Sequence, residues 1–179
     1  MGWPGVGPGE GERVSATVAE LDAFTDVLDY PVYVVTAAAG ERRAGCLVGF
    51  ASQCSIDPPR FMVWLSKANH TYTVARTASH LAVHALREDQ KRTAELFGGR
   101  TGDDTDKFAH LAWRRSAHTP APILADAAAW FVGRIEGRTD GGDHTGFLLA
   151  PVEAGPPGPE RPPLLLLSDV ADLAPGHPA

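Results

Sequence analysis

Most links between the β-rich runs of this chain are too short to hold the helical crossover that joins parallel strands, and that shortness restricts the fold more than any other feature. Residues 32–36 (Val-Tyr-Val-Val-Thr) are β-branched and aromatic and predict a strand, followed by a polar turn over 40–43. A second strand is expected over 45–55 and a third over 60–66, with Asp57-Pro58-Pro59 as a rigid turn between them. The third run is apolar without alternation and predicts burial on both faces. Further strands are expected at 81–86, 127–138, 144–153 and 164–168, and the turn Asp140-Gly141-Gly142-Asp143 makes a hairpin of the 127–138 and 144–153 pair. Short helices are expected at 14–28, 69–76, 88–97 and 103–111. Six or seven strands with few crossovers favour a mostly antiparallel barrel over a doubly wound sheet.

The 179 residues suffice for one domain with a real core. Residues 1–12 carry five glycines and cannot bury enough side chain to offset their ordering entropy, so a disordered tail is expected there. The domain is expected over 13–173, with a frayed end over 174–179. The formal net charge of -6 and the lack of a Lys/Arg cluster argue against nucleic acid as partner. The longest apolar runs, 61–65 and 164–167, fall far below the ~20 residues of a membrane span. No signal-peptide pattern opens the chain, and Cys46 and Cys54 read as reduced thiols, so a cytoplasmic protein is expected. Cys46, Cys54, His110 and His118 lack metal-ligand spacing, and no metal site is expected.

Three constellations carry candidate chemistry. In the first, Val48-Gly49-Phe50-Ala51-Ser52-Gln53-Cys54-Ser55-Ile56-Asp57-Pro58-Pro59, a run of small and hydroxyl residues lets a planar ligand approach backbone N–H groups. In the second, Ser66-Lys67-Ala68-Asn69-His70-Thr71-Tyr72, a helix opens directly after a strand, an arrangement that attracts phosphate, with Lys67 adding charge. In the third, Gly141-Gly142-Asp143-His144-Thr145, a flexible turn delivers an imidazole beside an acid. Each also has a plain structural reading: a strand and turn, a capped helix with a solvated lysine, and a hairpin turn with a capping Asp. Trp64, Trp113 and Trp130 read as core residues.

Taken in order with Tyr30-Pro31-Val32-Tyr33-Val34-Val35-Thr36, Ser55-Ile56-Asp57-Pro58-Pro59 and Asp106-Lys107-Phe108, these motifs resemble the flavin reductase-like family with an FMN-binding split β-barrel, from about Phe24 to about Leu173. The resemblance implies a mainly β fold with short helices, and a homodimer with flavin near the subunit contact. It implies NAD(P)H-dependent reduction of FMN, with FAD also possible and NADH or NADPH as hydride donor, for a partner flavin-dependent monooxygenase. It places cofactor binding at Val48, Gly49, Ser52, Gln53, Cys54, Ser55, Lys67, Asn69, His70, Thr71, Lys107 and Phe108. Asp143 and His144 would approach the nicotinamide, with His144 the candidate catalytic residue. The chain departs from common relatives at Gly49, Ala51 and Gln53-Cys54. Two other functions stay open at this point: a flavin-binding redox or carrier module without useful turnover, and a split barrel using another cofactor such as haem or a deazaflavin.

Overall fold

A computed structural model describes residues 18–102, 105–156, 161–174 and 176. The expected tail over 1–12 and the last residues 177–179 lie outside the described residues. Helix α1 (Val18–Thr25) precedes strands β1 (Tyr33–Ala39), β2 (Arg42–Val48), β3 (Ala51–Ser55) and β4 (Arg60–Ser66). Helix α2 (His70–Ala75), β5 (His80–Ala85), α3 (Lys91–Gly98), β6 (Trp113–Arg115), β7 (Pro122–Leu124), β8 (Ala129–Asp140) and β9 (His144–Ala154) follow. Seven strands form one antiparallel sheet in the order β2-β1-β5-β8-β9-β4-β3, and β6 and β7 form a separate ribbon. The sheet curls until β2 touches β4 without pairing to it, which makes the barrel split rather than closed. Among the described residues no helix is long and apolar enough to cross a membrane.

Strands β1 and β5 face two cores, and this explains their continuous buried runs. Val35, Cys46, Val63, Leu65, Leu81, Phe147 and Leu149 point into the barrel, where Val74 and Ala75 of α2 plug one end. On the outer face, Val34 and Leu86 pack with Ala94 and Phe97 of α3, and with Leu124 and Leu165. Lys107 is buried in this layer and donates to Gly45 O and Phe97 O, both at 3.0 Å.

Several expectations are corrected. The strand expected over 45–55 is broken at Gly49-Phe50, where the chain turns a corner and Phe50 O accepts Trp64 N–H at 2.9 Å. In β4 only Val63 and Leu65 are fully buried; the strand is not buried on both faces. Leu164 and Leu166 make isolated bridges to Arg87 and Pro31, and a 3₁₀ turn over Ser168–Val170 replaces the rest of the expected last strand. Strands β6 and β7 were not anticipated; each is three residues long in a proline-containing stretch. Of the expected frayed end, Gly176 is tied back, its N–H donating to Gly98 O at 3.0 Å. Cys46 is buried and Cys54 exposed, and both are free thiols.

Candidate functional site

The corner at Gly49-Phe50, the end of β4 and the β8–β9 turn meet because of register. Pairing of β4 with β9 sets Ser66 opposite His144 and Trp64 opposite Gly146. The hairpin turn closes through Gly141 N–H to His144 O at 2.9 Å, and Gly142 adopts φ 97°, a conformation that favours glycine. The Trp64 ring lies beneath the turn: a Cβ on Gly141 would overlap Trp64 Cζ3, and one on Gly146 would come within 3.0 Å of the same atom. The two residues must therefore lack side chains for the hairpin to rest on the indole.

The result is an open cleft of about 750 Å³. Its walls come from Thr25 to Tyr30 after α1, from Cys46 to Phe50, from Trp64 to Ser66, and from the 3₁₀ turn at Leu167 and Ser168. Asn69, His144 and Ala171 complete it. At its mouth the Phe50 and His144 rings stand 5.4 Å apart. His144 Nδ1 is bonded to Asp143 Oδ1 at 2.8 Å, which leaves Nε2 for a ligand. That bond, reinforced by the charge of the imidazole when protonated, holds the Asp143 carboxyl below the usual carboxylate range. The Ser168 backbone N–H, helped by its hydroxyl, does the same to Asp29.

Among the sequence-predicted residues, Val48, Gly49, Asn69 and His144 line this cleft, and Asp143 stands behind His144. The others lie elsewhere. Ser52, Gln53 and Cys54 are exposed along β3, an outer edge of the sheet, with Ser55 half-buried at its end. Thr71 is buried, with its side chain against Cys46 of the barrel core; His70 begins α2 beside it. Asn69 Oδ1 accepts Thr71 N–H at 2.9 Å and caps that helix. Lys107 is held by two carbonyls, and Phe108 packs in the outer core; both border a smaller hollow of about 390 Å³ with Arg43 and Asp106. Lys67 is engaged with the β8–β9 turn and does not line the cleft.

Trp64, Tyr30, Phe50 and Ser168 were missed as cleft residues. Trp64 read as core because its strand is apolar throughout; the paired glycines opposite it were the available signal. Tyr30 packs beside Gly49, 3.4 Å from where a Cβ would stand there.

The cleft suits a planar heteroaromatic ring with a polar edge. Leu47, Val48, Trp64 and Leu65 give apolar walls, the Gly49 corner leaves backbone open to approach, and Asn69, Ser66, Ser168 and His144 supply hydrogen-bonding groups. No Lys or Arg lines it among the described residues, whereas Asp26 and Asp29 do. Among the described residues no cluster of His, Cys, Asp or Glu fits a metal ion.

Residues 26–171 match the model of the flavin reductase like domain. The chain is 32% identical over 148 residues to an FMN reductase (NADH), RutF 1, of Methylorubrum extorquens (strain PA1), covering 81% of this chain and 72% of that one. It is 30% identical over 132 residues to the reductase component of a flavin-dependent trigonelline monooxygenase from Acinetobacter baylyi, covering 74% of this chain and 41% of that one. Its fold matches the NADH:FAD oxidoreductase SgcE6 of Streptomyces globisporus C-1027 with a TM-score of 0.76 and 25% identity, over 84% of this chain and 88% of that one. A barrel split at β2 and β4, a cleft at that split and a domain match over most of its length lead to one conclusion: the chain belongs to the flavin reductase-like domain family.

Proposed function

We propose that this protein is an NADH-dependent FMN reductase that supplies reduced flavin to a partner monooxygenase. The observation that carries the reading is the convergence of the Gly49 corner, Trp64 and the Asp143–His144 pair on one cleft inside the family domain. Relatives named as FMN reductases and as reductase components of monooxygenases support the activity and the partner. Bound flavin supplies the acceptor for a hydride from the nicotinamide, and the protein supplies binding and orientation.

Each residue then has a task. Val48, Gly49 and Leu65 form the bed for the ring, and the open backbone at the corner offers hydrogen bonds to its polar edge. Asp143 accepts the Nδ1–H of His144 and fixes the ring, which leaves Nε2 as the acceptor for the nicotinamide carboxamide N–H group. Alignment accounts for a large share of such a barrier, so no acid–base dyad is needed. Asp26 and Asp29 repel a ribose 2′-phosphate and can accept hydrogen bonds from ribose hydroxyls, which supports NADH over NADPH. Phe50 and Ile56 are exposed at 56% and 85% on either side of β3. A second copy covering that edge would bring Ser52, Gln53, Cys54 and Ser55 next to the flavin, which supports a homodimer. The free thiols at Cys46 and Cys54 favour the cytoplasm.

The test is steady-state NADH oxidation with added FMN, FAD or no flavin, repeated with NADPH. NADH turnover that depends on flavin, with NADPH at least about tenfold less efficient, is the expected result. Flavin binding without NADH turnover would favour a carrier module instead.

A further inference from the structure

The side chain of Lys67 is spent on one element. Its Nζ donates to Asp140 Oδ1 at 2.9 Å and to Gly142 O at 2.5 Å, and its backbone N–H donates to Asp143 O at 2.9 Å. Asp140 Oδ1 also accepts Gly142 N–H at 2.9 Å. One lysine at the end of β4 thus grips a turn that, without it, has only its own closing bonds and two glycines of high conformational freedom. The next residue in that turn carries the cleft imidazole.

We propose that Lys67 is a positioning residue: it clamps the Asp140–Asp143 turn so that His144 is held over the cleft, and it does not bind the flavin phosphate. This rests on the reading of the cleft as an NADH:flavin reductase site. The ion pair itself adds little to stability, because the Asp140 side chain is 76% exposed and solvent screens it. What the contacts fix is geometry. Trp64 limits the turn from below, and the lysine ties it from the side, so the loss of Lys67 frees the turn without disturbing the barrel.

Three variants test this: Lys67→Met, Asp140→Asn and the double variant, with Lys67→Arg as the conservative replacement. In flavin-free protein, ¹⁵N relaxation of Lys67→Met should show the order parameters of Gly142 and Asp143 falling from about 0.85 toward 0.6 or below, with partial recovery in Lys67→Arg. The KM for NADH should rise about tenfold or more, since misplacement on the ångström scale costs between one and two powers of ten. Asp140→Asn should reproduce both effects, and the double variant should be no worse than either single one. The ratio of FMN to riboflavin affinity should stay within about twofold, and the melting temperature within about 2 °C. A selective loss of FMN over riboflavin would overturn the proposal and return Lys67 to the phosphate. So would turn order parameters that do not change, or single effects that multiply in the double variant. If the wild-type protein does not oxidise NADH with any flavin, the reductase reading fails, and the relaxation data still decide whether the clamp exists.

Discussion

His84 Nδ1 lies 2.9 Å from Val34 O near the start of β1, with the imidazole fully buried. Its other nitrogen, Nε2, is 3.1 Å from Leu124 N, a group that can only donate. Nε2 must therefore accept, and Nδ1 must carry the proton. A neutral histidine joins β5, β1 and β7 into the outer layer, and a protonated one would set two donors face to face.

This arrangement makes stability depend on pH in a defined direction. Burial pulls the His84 pKa from 6.5 to about 4, only partly opposed by the bond to Val34. The unfolded chain therefore binds this proton more readily than the folded one. Stability is fully present above pH 6.5 and falls as pH drops from 6.5 toward 4, by about 3 kcal/mol at most. Denaturant midpoints between pH 7 and 4 should show this slope, and His84→Gln should flatten it from a lower starting stability. His80, whose pKa is lowered chiefly by partial burial, adds a weaker slope of the same sign.

The Trp64 contact predicts the response of the hairpin glycines. Gly141→Ala drives a methyl into the indole, so the turn must lift away from the cleft. The KM for NADH should rise with little change in flavin affinity. Gly142→Ala meets no neighbour within 4 Å but needs a left-handed backbone, and should cost about 1 kcal/mol of turn stability. Equal behaviour of the two variants in NADH kinetics would mean that Trp64 does not support the turn.

Thr71→Ala should lower stability and leave ligand selectivity alone. The side chain is buried against Cys46 in the barrel core, where the loss of a buried hydroxyl and a methyl group costs about 1–3 kcal/mol. FMN and riboflavin should be weakened equally or not at all. A selective loss of FMN would place the hydroxyl on the phosphate after all.

Lys107→Met makes the matching case for a buried cation. Its ammonium satisfies Gly45 O and Phe97 O, and methionine leaves both carbonyls unpaired. About 1–3 kcal/mol of unfolding free energy should be lost for each orphaned group, read in urea, while flavin affinity is unchanged.

These cases also mark what the sequence could carry. The strand at Arg60–Ser66 was legible to the residue, since an unbroken apolar run bounded by Pro59 and Lys67 leaves little choice. The fold class followed from short links, and the Asp-His turn from its own composition. Side-chain direction was not legible. Lys67, Thr71 and Lys107 sit in the right motifs, but each is turned toward a partner many residues away: Asp140, Cys46 and Gly45. Such pairings depend on how the sheet curls, and local pattern does not encode that. The break at Gly49-Phe50 was hidden for the same reason, because a strand that turns a corner keeps the composition of a strand.

The most direct test mixes NADH with the protein and FMN without oxygen and follows the visible absorbance of oxidised flavin, for wild type and His144→Ala. The account predicts that wild type bleaches the flavin catalytically, and that His144→Ala bleaches it at least about tenfold more slowly or with a higher KM for NADH, with flavin affinity within about threefold. Flavin that stays oxidised with wild type, or a His144→Ala variant that loses flavin yet reduces the remainder at the wild-type rate, would contradict it.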